Sequence, residues 1–65
     1  KHIYVTGSSV NVRSGPATTY KVLTRVNKGD TMPYIATAEA LGWHAVEIGG
    51  KIGWISGKYS SVEEG

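Results

Sequence analysis

Cysteine and phenylalanine are both missing from this 65-residue sequence, and aspartate occurs once, at Asp30. Without cysteine there is no disulfide, no thiol nucleophile and no thiolate-bound zinc. A serine or threonine nucleophile would need His2 or His44 as base and a carboxylate to orient it. The single aspartate instead sits in Asn27-Lys28-Gly29-Asp30, where aspartate serves a turn. No catalytic residue is therefore expected. His44 and Glu47 are three apart in a strand-like segment, which sends them to opposite faces, and two ligands fall short of a zinc site. No metal or cofactor is expected, and His44 reads as a packed or half-exposed histidine. No apolar run approaches the ~20 residues that cross a bilayer as a helix. Runs of like charge are also lacking: Lys1, Arg13, Lys21, Arg25, Lys28, Lys51 and Lys58 stand apart, and the net charge is only +2. Neither a membrane surface nor a nucleic acid is expected as partner.

A chain this short buries only about 60% of the surface its unfolded form exposes, so it makes one small domain. We expect residues 1–65 to be a single module cut from a longer protein, with a core over residues 3–59 and a polar, fraying tail over 60–65. Seven Val, five Ile and six Thr face two Leu and one Met, a balance that favours strands, because branched side chains lose rotamer freedom in helices. Period-two alternation marks residues 3–6 and 10–13 as half-buried strands with Gly7-Ser8-Ser9 between them. Further strands are expected at 22–26, 31–36, 43–48 and 51–56. Pro33 cannot donate a ladder hydrogen bond and so belongs at an edge or a bulge. Residues 37–42 read as a longer connection, Gly49-Gly50 as a two-residue hairpin turn, and residues 56–59 as one tight helical turn or a bend. Short strands in so small a chain should close into a strongly curved antiparallel barrel, which removes exposed edges.

The run Val10-Asn11-Val12-Arg13-Ser14-Gly15-Pro16-Ala17-Thr18-Thr19-Tyr20-Lys21-Val22-Leu23 resembles the opening signature of bacterial SH3-type (SH3b) domains. Gly42-Trp43, then Val46-Glu47-Ile48, then Gly50-Lys51-Ile52-Gly53-Trp54-Ile55-Ser56-Gly57-Lys58-Tyr59 match its second half in order and spacing. The resemblance covers residues 8–60. It implies an all-β, SH3-like barrel of five to seven short antiparallel strands with one short 3-10 turn near the C-terminus. It also implies a non-catalytic module, attached to a secreted or phage-encoded cell-wall hydrolase and located at the wall, that binds peptidoglycan or its peptide cross-bridges. Many members carry an aromatic residue after the first tryptophan, where this sequence has His44. The acidic ligand loop and paired tryptophans of eukaryotic SH3 domains are absent, which disfavours polyproline as ligand. An extended or Pro-rich peptide of a protein partner is the alternative ligand, and the module is expected to act as a monomer.

Two tryptophans and four tyrosines supply all the aromatic surface. Such rings join a flat apolar body to a polar rim and suit half-wet sites for short peptides or sugars. Trp43, Tyr20, Tyr59, Tyr34 and Trp54 are therefore candidate ligand contacts. Trp43 falls on the face opposite Val46 and Ile48 and so points outward, while Trp54 is the better candidate to plug a barrel end. Asn11 and Arg13 complete the set, on the face opposite Val10 and Val12. Asn11 is expected mainly to brace the following loop. Arg13 either braces that loop or offers its donor fork to a ligand carboxylate.

Overall fold

The computed structural model, which describes residues 1–64, folds into seven strands. In chain order they are β1 (His2–Val5), β2 (Val10–Arg13), β3 (Val22–Val26), β4 (Thr31–Ala38), β5 (Trp43–Ile48), β6 (Lys51–Ser56) and β7 (Ser60–Glu63). A 3-10 turn, Gly57–Tyr59, separates the last two. All pairings are antiparallel, and the strands form one sheet in the order β3-β2-β6-β5-β4-β1-β7. This all-β architecture is the one expected from the sequence.

The sheet is rolled around its inner face. Val26 of β3 and Ile3 of β1, far apart in strand order, belong to one core cluster with Val5, Val10, Val12, Met32, Val46 and Ile55. The turn after β3 closes onto β1 through backbone bonds, Val5 N donating to Asp30 O at 2.9 Å and Gly29 N to Val5 O at 3.0 Å. The core is aliphatic and assembled by strand parity: Val10 and Val12 alternate with Asn11 and Arg13, and Ile55 alternates with Trp54 and Ser56. Gly53 shares the inward parity of Ile55. A methyl group there would stand 2.5 Å from Val12 Cγ1, so the bare backbone is what lets β2 and β5 side chains meet across it.

Three differences from the sequence reading have physical causes. Residues 60–63 form β7 instead of fraying, because Ser60 to Glu63 pair in register with Val5 to His2. Ser60 is buried and its hydroxyl donates to Ser56 O at 2.7 Å. Of the expected tail, Gly65 lies outside the described residues. Pro33 lies in a strand flanked on both sides, not at a sheet edge; it pairs with His2, while the ladder to β5 starts one residue later, at Tyr34. A bulge follows directly, with two residues, Ile35 and Ala36, opposite Ala45. It shifts the parity of β4, so that Ile35 is left exposed and Thr37 comes opposite His44. β4 thus runs on to Ala38, and the connection shrinks to residues 39–42. The Gly49-Gly50 turn forms as expected, with φ of 58° and 77°, both positive as a type I′ hairpin requires.

Candidate functional site

An open cleft of about 680 Å³ lies at one end of the rolled sheet, where the first loop, the start of β2, the turn before β5 and the 3-10 turn converge. Four of the seven candidate residues, Asn11, Arg13, Trp43 and Tyr59, line it together. Each arrives from a different local cause.

Trp43 opens β5 directly after Gly42, whose φ of 73° turns the chain into the strand. It pairs with Ser56 on β6 and Ala38 on β4, both small, so the indole has little beside it and stays half-buried at the cleft wall. The turn is tied down by Gly57 N donating to Gly42 O at 2.7 Å. Ser56 caps the 3-10 turn, its hydroxyl accepting from Lys58 N at 3.2 Å, and so aims Lys58 and Tyr59 at the opening. Thr6 N donates to Tyr59 O at 2.8 Å. Gly7 permits this approach, since a Cβ there would be 3.2 Å from Tyr59 Cβ and Cδ1. Tyr59 keeps 49% of its surface in solvent.

Arg13 does brace the loop: its Nη1 donates to the carbonyl oxygen of Tyr20 at 3.0 Å. It also lines the cleft. Asn11 accepts from Arg25 Nε at 3.2 Å, bracing β3 instead of the loop after β2. Among the described residues no carboxylate lines the cleft; its charged side chains are Arg13 and Lys58, among Ser8, Ser9, Thr18 and Ser56.

The other three candidates lie outside this lining. Tyr20 is exposed beside it, its ring packed on Gly15, where a Cβ would clash at 2.5 Å. Tyr34 packs against the core, meets His44 edge-on at 6.2 Å between ring centres, and joins its hydroxyl to Thr37 Oγ1 at 2.7 Å. Trp54 is not a plug. Its neighbours Gly53 and Ile55 take the inward positions, so the indole sits half-buried on the outer face between Arg13 and Ala45. None of the six aromatic rings is fully buried.

His44 occupies a structural position. Thr37 Oγ1 lies 2.9 Å from its Nδ1, and burial holds the imidazole below its ordinary pKa. Among the described residues no group of three or more His, Asp or Glu is placed to hold a metal ion. Leu41 and Lys58 are among the lining residues that the sequence did not single out. Leu41 is an apolar side chain 60% exposed; Lys58 is one of several scattered cations and gave no signal.

Residues 8–61 match the family model described as the bacterial SH3 domain. The chain belongs to that family. This bacterial SH3 domain is 39% identical over 56 residues to a protein named probable endopeptidase p60 of Listeria innocua, a match covering 85% of the chain and 12% of the relative. The protein of the same name in Listeria monocytogenes is 38% identical over 56 residues, again 85% of the chain and 11% of the relative. The domain therefore spans roughly an eighth or less of the length of these relatives.

Proposed function

We propose that this bacterial SH3 domain is a non-catalytic binding module for the peptide part of peptidoglycan, stem or cross-bridge, which holds an attached hydrolase at the bacterial cell wall outside the cell. The observation that carries the proposal is the meeting of Trp43 and Tyr59, two partly solvated rings, in one open cleft rimmed by serines and threonine. An extended peptide of small residues can lie flat on such rings while its amides bond to the polar rim. The relatives named as endopeptidases support the attachment to a wall-cleaving enzyme. In this reading the domain brings no nucleophile, metal or cofactor of its own and needs no partner subunit.

Retention of the isolated domain on purified peptidoglycan, run beside single-stranded DNA and a Pro-rich peptide, tests the reading. The domain is expected to stay on the wall polymer alone. Trp43→Ala should weaken retention by about tenfold or more, a typical cost for a central aromatic anchor, while the far-UV spectrum stays unchanged. Equal retention by the variant, or preference for either competing ligand, contradicts the proposal.

A further inference from the structure

Arg13 is a half-buried cation with no ion-pair partner among the described residues. Its side chain reaches the cleft, one donor is committed to the Tyr20 carbonyl, and no carboxylate among the described residues pairs with it. The sole ion pair among those residues is remote, between Lys1 and Glu64 at 3.7 Å. The bond to Tyr20 O is exposed, so the remaining guanidinium donors are open to an anionic ligand. Lys58 places a second cation in the same lining, held at the N-terminus of the capped 3-10 turn. Among the described residues, two positive charges and no negative one thus line the cleft that also holds the exposed rings.

We infer that the cleft recognises the end of a peptide, not its middle: a free terminal carboxylate on the Arg13 guanidinium, with Lys58 adding charge, and the preceding small residues on Trp43 and Tyr59. The inference rests on the peptide-binding reading above and narrows it to a ligand class. Guanidinium has five donors in a planar fork that matches a carboxylate. The bond to Tyr20 O uses one and fixes the plane, so less side-chain freedom is lost when an anion docks. Tyr20 is itself anchored, because its ring rests on the bare Gly15 backbone. A peptide whose C-terminal carboxyl has become an amide, by amidation or as the acyl donor of a cross-link, has lost that charge and forfeits this contact, whereas the acceptor of a cross-link keeps its own. The domain accordingly sorts peptides by whether their terminal carboxyl is free.

The probes are a synthetic stem pentapeptide ending in D-alanine as the free acid, and the same peptide as its C-terminal amide. Titrated into the labelled 65-residue chain, the acid is expected to bind about tenfold more tightly than the amide at low salt, with the gap narrowing as salt is raised. Arg13→Gln should abolish the preference and Arg13→Lys should restore part of it. Lys58→Gln, at an exposed position outside the core, should reduce the preference without touching the loop brace, which covers the case in which Arg13→Gln unfolds. Equal affinity for acid and amide overturns the inference. If the domain is nonetheless retained on peptidoglycan, the peptide-binding reading survives without it. Failure to bind either peptide or the polymer removes both.

Discussion

At Gly53 a single added methyl would meet Val12 Cγ1 at 2.5 Å and Ile48 Cγ2 at 3.1 Å, with both neighbours packed in the interior. Gly53→Ala is therefore expected to cost about 1–3 kcal/mol, the usual penalty of overpacking, seen as a lower denaturation midpoint at unchanged slope. An unchanged midpoint would mean that β6 does not pass this close to β2. The same residue explains why Trp54 was misplaced from sequence. With glycine at 53, the inward parity of β6 shows only one large residue, Ile55, so the indole looked like the natural filler. Trp43 was legible because Val46 and Ile48, on the opposite face of β5, turn to the core, although Ala45 on its own face is buried as well. His44 makes a prediction of another kind. The groups set against it are the Tyr34 ring and the Thr37 hydroxyl, and burial favours the neutral imidazole. Its folded pKa lies below the unfolded value of about 6.5, so its contribution to stability is present above that value and is lost as pH falls through the folded one. The melting temperature should drop as pH falls below about 6.5, and His44→Gln should flatten that part of the profile. A wild-type profile already flat there contradicts the assignment.

Among the elements, β7 was the one not legible. Ser60-Ser61-Val62-Glu63 has a single apolar side chain, and its pairing with β1 is satisfied by backbone bonds and by the buried Ser60 hydroxyl, neither of which leaves a hydrophobic pattern. β2, β3, β5 and β6 matched their expected bounds because each stops just before a turn residue, Ser14, Asn27, Gly49 or Gly57. The bulge in β4 could not be read from sequence, since Pro33 marks a disruption without saying where the extra residue falls. Deleting residues 60–65 should uncover the full length of β1 as a sheet edge and remove the Ser60 to Ser56 bond behind the cleft. The shortened chain is expected to lose several kcal/mol of a total that is only ~5–15 kcal/mol for a native domain, and to aggregate through the exposed edge. A soluble shortened chain with an unaltered melting temperature would show that β7 is dispensable.

On the scale of the whole molecule, the rolled sheet uses its interior for aliphatic packing and leaves its rings partly in water. One shallow cleft of this kind gives modest affinity, of order 10⁻⁴ to 10⁻⁶ M, which suits a module on a repetitive polymer, where tethering multiplies weak contacts. The small net positive charge adds attraction to an anionic surface that fades with salt. The candidate site was half legible: four residues converge, whereas Tyr34 was drawn inward by the core and Trp54 sent outward by parity, two consequences of register that composition does not carry. The most direct test of the cleft as the binding site is the amide and indole chemical-shift map of the labelled domain titrated with muropeptide fragments. Saturating shifts are expected at Arg13, Thr18, Trp43, Lys58 and Tyr59, with Ile35, Ile52 and the β4 bulge unmoved. Shifts centred on Ile35 or Ile52 with the cleft silent, or no shifts at any ratio, would contradict it.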